Sequence, residues 1–337
     1  METSYRDKLL QFAFRYGAII VILGVFSFFA IKLEYFFSGS NIADILRSIS
    51  IVTFIAIGVT FSLIVDGFDL SVGSTVSLTT VVTASLMVWY EMPLFIVIIV
   101  PLLIGACVGL INSFFIVRFK IPDLLATLAV MYIVAGIHKT YTKGYSIYNN
   151  MQMTDGTKAP GVMSNAFLTI GQGEFYVGNF TVPIPVILML LAVAAAHIFL
   201  AYTRFGRQMY MTGGNEEAAR LSGIKVKRVR TWAYVLSGIC AAVGGILFAS
   251  RVGTGQIDAG APLLMEAVAA VFVGFSVFGA GKPNVLGTFI GSVLIGVLVN
   301  GLTMMNLQYY THDIIKGTVL ILALAVTFYV VKKRRAA

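Results

Sequence analysis

Charged residues and cysteines are scarce in this chain of 337 residues. Only 12% of the residues are charged and 58% are apolar, whereas soluble domains carry roughly 25% charged residues. Low charge excludes a disordered chain, and two cysteines exclude a disulfide scaffold. Cys107 and Cys240 both stand in apolar runs, where we predict small core residues. With a mean hydropathy of +0.90, the composition is that of a membrane protein.

Catalytic and nucleotide-binding patterns are also missing. The three histidines are widely separated and lack the spacing of metal ligands. The segment that ends in Gly281-Lys282 resembles a P-loop, but Ser276 stands where that motif needs a glycine and Pro283 where it needs serine or threonine. We therefore predict no enzyme, no metal site and no ATP bound by this chain. The net charge of +9 is assigned to the membrane surface, not to nucleic acid.

Charged residues divide the chain into long apolar stretches. A membrane helix needs about 20 mainly apolar residues. Stretch 159–173 is too polar to cross a membrane, which leaves ten predicted helices in one transmembrane domain over 1–337, an all-α membrane protein. The ten stretches are 16–31, 48–65, 70–90, 92–117, 124–138, 175–203, 231–250, 267–281, 283–312 and 317–331. We expect the two longest, 175–203 and 283–312, to include some loop.

Basic residues indicate the orientation, because cytoplasmic loops carry an excess of lysine and arginine. With a cytoplasmic N-terminus, only seven of the 24 bases lie on the outer side. Those seven are Lys32, Arg47, Lys139, Lys143, Lys158, Arg251 and Lys316. Ten spans return the C-terminus to the cytoplasm and leave an external loop over 138–182 and a cytoplasmic loop over 203–231. No cleavage signal follows the first apolar run, so we predict a retained helix there.

Two groups of helices, about 48–137 and about 232–331, suggest a weak inverted repeat. The fourth and ninth predicted helices share a small-xxx-small spacing, at Gly105 to Gly109 and at Gly287 to Gly291, and each carries an asparagine further on. Small residues at this spacing let helices pack closely. The alternative is the general abundance of glycine in membrane helices. A true repeat would point to a transporter.

An acidic segment, Asp66-Gly-Phe-Asp-Leu-Ser-Val-Gly-Ser74, lies between the second and third predicted helices. Asp69 is placed to cap the third helix by accepting hydrogen bonds from its first amides. Gly67 and Gly73 permit a tight turn and close approach of the backbone. Acids near the bilayer core are costly unless capped or paired. The segment is therefore either a capped turn between helices or a broken element of a transport pathway.

A short helix is predicted over 215–223, within the cytoplasmic loop. Asn215 is the expected N-cap, two glutamates occupy the first turn and Gly223 ends the helix. We expect Arg220 to pair with Glu216, four residues earlier. Ala218, Ala219 and Leu221 give the helix a small apolar surface. The helix either lies on its own bundle or docks into another protein; its compactness and the bases after it favour docking.

Other ionisable residues lie mostly at predicted helix ends, where snorkelling or water accounts for them. They are Asp123, Arg251, Asp258, Asp313 and Lys316. Glu266 lies deeper and is the best candidate for a buried charge with a partner. We favour a structural role for it.

These segments together resemble the permease subunits of ABC importers for simple sugars, the ribose-type permeases. The motif residues are Asp66, Gly67, Asp69, Leu70, Ser71 and Gly73, and Asp66 departs from the small residue that many members carry. Segments 203–207 and 213–224 resemble the cytoplasmic coupling region, and 120–128 resembles the start of the fifth helix. Segments 266–282, 285–288 and 300–302 continue the likeness, although Gly274-Phe275 replaces the usual pair of glycines. The likeness covers roughly 45–331 in the family order.

The resemblance implies a fold of the vitamin-B12-permease type, that of type II ABC importers, with ten helices and a pseudo-twofold repeat. It implies a second permease chain, identical or paralogous, separate ATPase subunits that bind the ATP, and a solute-binding protein outside the cytoplasmic membrane of a prokaryote. The expected solute is a simple sugar such as ribose, another pentose or a hexose. The alternatives are a furanone signal, a polyol or a nucleoside. A stand-alone secondary transporter would need a coupling-ion site.

The resemblance also assigns two kinds of site. The predicted ATPase contact comprises Asn215, Glu216, Glu217, Ala218, Ala219, Arg220, Leu221, Ser222 and Gly223. In the implied fold the fifth and tenth helices line the transport route, which makes Thr127, Tyr132 and Thr318 pathway candidates. Thr127 and Tyr132 lie about 140° apart around a helix, so both cannot point into one route. Asp123 and Lys316 would lie near opposite ends of the route and should not pair.

Overall fold

A computed structural model describes residues 23–153, 155–178, 180–276, 282–308, 310–318 and 321. The beginning of the first predicted helix, the glycine-rich 277–281 and most of the tenth predicted helix lie outside the described residues. So do the N-terminal bases and the C-terminal basic tail on which part of the predicted orientation rests.

Helices make up most of the described chain. They are α1 Leu23–Lys32, α2 Gly39–Ile64, α3 Ser71–Val88, α4 Leu94–Ser113, α5 Asp123–Tyr141, α6 Asn165–Gln172, α7 Ile184–Tyr202, α8 Arg204–Gly214, α9 Glu216–Leu221, α10 Val226–Val252, α11 Gly260–Ser276, α12 Val285–Met304 and α13 310–318. A π-helical turn, Phe114–Arg118, continues α4. The strands are β1 Ile147–Tyr148, β2 Glu174–Val177, β3 Phe180–Pro183 and β4 Thr254–Gly255.

Within the described ranges, 7 helices are long and apolar enough to cross a membrane. They are α2, α3, α4 with its π-helical turn, α5, α7, α10 and α12. Each corresponds to one predicted stretch, so the all-α membrane fold is confirmed. The other three predicted stretches correspond to α1, α11 and α13, whose described parts are shorter.

The predicted start of the second helix at residue 48 is wrong, because α2 begins at Gly39. Its first turns contain charges that are paired and do not end the helix. Arg47 Nη1 lies 3.0 Å from Asp44 Oδ1, and Arg47 Nη2 also binds Glu174 of strand β2. Ion pairing lowers the cost of charge at the edge of the bilayer. The predicted helix was too short because it was bounded by the nearest charged residue, Arg47.

Three other boundaries were also misplaced. Helix α10 begins at Val226, so it takes up the last part of the predicted cytoplasmic loop 203–231. Helix α5 extends to Tyr141, which moves the start of the external loop beyond 138. Helix α11 begins at Gly260 and includes the charged Glu266. In each case a charged residue lies inside the helix, where its side chain finds a partner.

Close packing of the bundle depends on small residues, since lipid supplies no hydrophobic drive between helices. Helix α10 packs against α2, α3 and α4. Gly105 and Gly109 of α4 lie directly against the α10 backbone at Gly238 and Tyr234. Gly287 and Gly291 of α12 lie against the α11 backbone at Gly274 and Ala270. The predicted close packing at both small-xxx-small segments is confirmed.

In each predicted half, one helix packs against a helix of the other half. Helix α4 packs on α10 of the other half, and α12 packs on α2. The later asparagine of each segment also makes an interhelical bond: Asn112 donates to Ser71 Oγ at 2.7 Å, and Asn300 donates to Asn41 Oδ1 at 2.9 Å. Reciprocal packing is what a twofold repeat requires. The repeat boundaries at 48–137 and 232–331 stay a prediction.

The outer faces of α4, α5 and α7 are apolar and little covered by the described chain. Such faces suit contact with lipid or with another protein in the membrane. Cys107 lies on the exposed face of α4, so its prediction as a core residue is wrong, whereas Cys240 is partly buried. Sequence hydrophobicity alone does not distinguish a lipid-facing cysteine from a core cysteine.

The segment between α5 and α7, the predicted external loop, is folded against the ends of the helices. Strand β1 pairs with β4 in antiparallel register, and β2 forms a hairpin with β3. Helix α6 has only 8 residues, too few to cross a bilayer, which confirms that 159–173 is not a span. Ser250 Oγ holds it by donating to the Phe167 carbonyl at 2.6 Å and accepting from the Gly171 amide at 2.7 Å.

Candidate coupling site and transport route

The linker 65–70 separates helix α2 from helix α3. Asp66 has a φ of 59°, in the left-handed region. The left-handed turn therefore lies at this aspartate, whereas we had predicted it at a glycine. The predicted close approach of the backbone is confirmed. Gly67 lies against the Tyr234 hydroxyl and the Asp123 carboxylate, so an added Cβ would force one of these groups to shift. At Gly73 an added Cβ would lie 3.2 Å from the Gly260 carbonyl oxygen.

Asp69 joins three helices. Its Oδ1 accepts from the Ser71 amide at 3.0 Å and from Ser71 Oγ at 2.6 Å. Its Oδ2 accepts from Ser237 Oγ of α10 at 2.8 Å, and Asn112 of α4 donates to Oδ1 at 3.3 Å. Burial raises the pKa of the Asp69 carboxyl, and the hydrogen bonds from Ser71 and Ser237 oppose this rise.

The prediction that Asp69 is the N-cap of α3 is therefore wrong. Asp69 does accept from the first amide of α3, but Leu70 occupies the cap position. The bonds from Ser237 and Asn112 come from residues far away in the sequence, so local spacing could not predict them. Asp69 is a buried junction between helices as well as a helix-end acceptor.

The three pathway candidates lie in different environments. Thr127 is buried, and its hydroxyl lies 3.0 Å from the Phe68 carbonyl, 2.9 Å from the Asp123 carbonyl and 3.2 Å from the Leu70 amide. Tyr132 is exposed on α5, so these two residues do occupy different faces, as predicted. Thr318 is exposed on α13. The assignment of these residues to a route stays a prediction.

Helix α9 has the predicted caps. Asn215 Oδ1 accepts from the Ala218 amide at 2.9 Å, and Gly223 follows the helix with a φ of 80°. The predicted pairing of Arg220 with Glu216 is wrong, because Arg220 Nη2 binds Glu217 Oε1 at 2.6 Å. Glu216 turns instead towards α10.

The small apolar surface of α9 is divided between two environments. Ala219 is buried against the bundle, whereas Leu221 is 79% exposed and Ala218 is also exposed. The neighbouring helix α8 is fixed by Tyr210, whose hydroxyl donates to the Pro283 carbonyl at 3.1 Å, and burial raises the pKa of this hydroxyl. Helix α9 therefore rests on the bundle and still presents a leucine outward.

Arg230 of α10 joins α9 to the start of α5. Its Nη1 lies 2.9 Å from Glu216 Oε2, and its Nη2 lies 2.7 Å and 2.5 Å from the two carboxylate oxygens of Asp123. The Tyr234 hydroxyl donates to Asp123 Oδ2. Snorkelling or water does not account for Asp123, contrary to our expectation. Arg230 and Tyr234 were not among the predicted site residues. Their spacing of four residues, which places both on one face of a helix, is the sequence signal that could have identified them.

Glu266, Lys316 and Arg251 also have partners. Glu266 Oε1 binds Lys316 Nζ at 2.7 Å, which confirms the buried and partnered glutamate. Asp123 and Lys316 bind other residues, so the prediction that they do not pair is confirmed. Arg251 donates to Ser48 Oγ at 2.8 Å. In the part of the chain that the structure covers, no group of three metal-ligating side chains lies together.

The 7 described helices that are long and apolar enough to cross a membrane define a multi-pass membrane protein. Residues 41–324 match the family described as the branched-chain amino acid transport system permease component, and the chain belongs to that family. Members of the family are transport components and not catalytic enzymes. The chain therefore works as one part of a larger transport system.

Individual relatives align over nearly the whole chain. It is 36% identical to the ribose import permease RbsC of Haemophilus influenzae, over 94% of this chain and 93% of the relative. It is 35% identical to RbsC of Bacillus subtilis, over 86% and 84%. It is 32% identical to the galactose/methyl galactoside import permease MglC of Escherichia coli, over 96% and 97%. No solved structure matches the chain.

Proposed function

We propose that this chain is the membrane-spanning permease of an ABC importer for a simple sugar such as ribose, another pentose or a hexose. The observation that carries the proposal is the nearly full-length likeness to ribose and galactose import permeases, at 32–36% identity. The family description names branched-chain amino acids instead. We give the individual relatives more weight for the solute, because a family model spans many different solutes.

The proposed complex contains a second permease chain, two ATPase subunits and a solute-binding protein. The ATPase subunits bind the ATP, and this chain contributes neither a nucleotide site nor a cofactor. Helix α9 is the proposed contact with the ATPase, since it is capped, anchored through Ala219 and exposes Leu221. The chain lies in the cytoplasmic membrane of a prokaryote with both termini in the cytoplasm. The predominance of basic residues on that side supports this orientation.

A stand-alone secondary transporter is the alternative class. It would need an acid free to bind the coupling ion near the middle of the bilayer. Asp69 and Glu266, the two buried acids among the described residues, and the partly buried Asp123 are all engaged: Asp69 by hydroxyls, Asp123 by Arg230 and Glu266 by Lys316. This pairing favours a permease driven from outside the chain. A permease of the same family for a furanone signal, a polyol or a nucleoside is the other alternative.

Reconstitution tests the function. The permease is placed in proteoliposomes with the ATPase and binding protein encoded beside its gene, and uptake of labelled ribose, galactose, leucine and a nucleoside is measured. We expect uptake of one sugar that requires both ATP and the binding protein. Uptake without the ATPase would favour the secondary transporter. Ligand binding to the isolated binding protein identifies the solute directly, and leucine or a nucleoside as the ligand would contradict the sugar.

A further inference from the structure

A continuous set of polar contacts runs from the surface helix α9 into the bundle. Glu216 of α9 binds Arg230 of α10, Arg230 binds Asp123 of α5, and the Asp123 carboxylate also accepts from Tyr234. Asp123 is the first residue of α5, the helix that carries the pathway candidate Tyr132. The Arg230 guanidinium thus connects α9, the proposed ATPase contact, with α5, which is predicted to line the transport route.

The same contacts reach the linker 65–70 between α2 and α3. Gly67 lies against both the Asp123 carboxylate and the Tyr234 hydroxyl. The Thr127 hydroxyl, one turn along α5, bonds to the Phe68 carbonyl at 3.0 Å and to the Leu70 amide at 3.2 Å. A displacement of the start of α5 would therefore move the linker with it.

The two ion pairs of Arg230 differ in burial. Both Arg230 and Asp123 have side chains only 17% exposed, whereas the side chain of Glu216 is 58% exposed. Exposed ion pairs contribute little to stability and separate readily, but breaking a buried pair leaves an uncompensated charge. If Glu216 moves away, Arg230 and Asp123 remain together as a neutral pair. The geometry thus makes Glu216 the contact that can open.

We propose that Arg230 is a positioning residue that transmits the movement of α9 to the start of α5 and the linker 65–70, and that Glu216 is the contact that opens and closes during the transport cycle. The proposal rests on the proposed function, because an ATPase must move α9. It goes further in naming how that movement enters the bundle. Arginine suits the role, because its fork of donors holds two carboxylates at once.

The test is the number of solute molecules imported per ATP hydrolysed by the reconstituted complex. Glu216→Gln removes the negative charge from the contact between α9 and Arg230, so that at most a neutral hydrogen bond remains there, and it leaves the buried pair intact. We expect this ratio, measured in the assembled complex, to fall at least about fivefold. A purely structural role would instead lower the unfolding temperature and leave the ratio unchanged.

Asp44→Asn is a closely matched control. Asp44 is 56% exposed and binds Arg47 Nη1 at 3.0 Å, and Arg47 also binds a second carboxylate, that of Glu174. The control therefore removes one exposed acid from a shared arginine at the opposite end of the bundle. We expect a wild-type transport ratio. A fall equal to that of Glu216→Gln would overturn the proposal, because the effect would then follow from charge loss alone.

Arg230→Lys supplies the second measurement. Lysine keeps the charge but lacks the fork, so it should hold Asp123 and release Glu216. We expect the same loss of ratio, and no further loss when Arg230→Lys is combined with Glu216→Gln, because both changes break one contact. A double variant whose loss is the product of the two single losses would contradict the relay, and so would an unchanged ratio in Glu216→Gln. Lack of ATP-driven uptake by the wild type would instead contradict the proposed function itself.

Discussion

Glu266 and Lys316 form an ion pair between α11 and α13, with Oε1 2.7 Å from Nζ and both side chains largely buried. Removing one partner leaves the other charge unpaired in the bundle. We expect Lys316→Met to cost about 3–5 kcal/mol. The double change Glu266→Leu with Lys316→Met should recover most of that loss, because no charge then remains. Thermal unfolding in detergent measures both variants, and a double variant no more stable than Lys316→Met would show that the pair itself is required.

Asp69 provides a comparison of charge with hydrogen bonding. Asparagine keeps an oxygen to accept from Ser71, and its amide can donate to Ser237, so we expect Asp69→Asn to be mild. Asp69→Ala leaves Ser71 and Ser237 without their acceptor, and should cost roughly 1–3 kcal/mol. Transport and unfolding temperature are measured for both variants. If asparagine abolishes transport in a stably inserted protein as fully as alanine does, the negative charge itself is needed.

Gly67 is expected to tolerate no side chain. The Cβ of Gly67→Ala would overlap the Tyr234 hydroxyl and the Asp123 carboxylate, which would push the linker away from α5. We expect a destabilisation of about 1–3 kcal/mol from overpacking, together with impaired transport. Gly39→Ala serves as the control, since nothing lies within 4 Å of the added Cβ at the start of α2. Equal unfolding temperatures for the two variants would contradict the close contact.

The α9 contact is tested by changing its outward surface. Glu217→Arg and Leu221→Asp together should abolish ATP-driven transport while the permease stays in the membrane, because both side chains are exposed and hold no buried partner. A cysteine at Ala218 should cross-link to the ATPase in the assembled complex. If no cross-link forms at this exposed position in any nucleotide state, α9 is not the contact.

The route is tested with single cysteines at Thr127, Tyr132 and Thr318 in a Cys107→Ala, Cys240→Ala background. Positions 132 and 318 are exposed, so we expect them to react with a small water-soluble thiol reagent, at a rate that changes when ATP is trapped in the complex. Position 127 is buried and should react far more slowly. Fast reaction at 127 together with silence at 132 and 318 would place the route on another face of α5.

Local features of the chain were readable from the sequence. Apolar stretches of spanning length gave the membrane helices, because a bilayer requires about 20 such residues wherever they occur. Asn215 and Gly223 marked the ends of α9, because caps involve residues within one turn of each other. Small-xxx-small spacing found the contact faces of α4 and α12, since close helix approach depends on side-chain size alone.

The partners of the charges were decided only by the tertiary structure. Arg220 pairs with Glu217, although the four-residue spacing favoured Glu216. Glu216 pairs instead with Arg230, because α10 brings Arg230 beside it. Asp123 and Arg230 are 107 positions apart in the sequence, and their contact follows from how α5 lies along α10. An ion pair forms where burial and distance favour it, and both depend on which helices pack together. The sequence alone therefore determined the membrane helices and the ends of α9, whereas the fold determined which charges connect the helices.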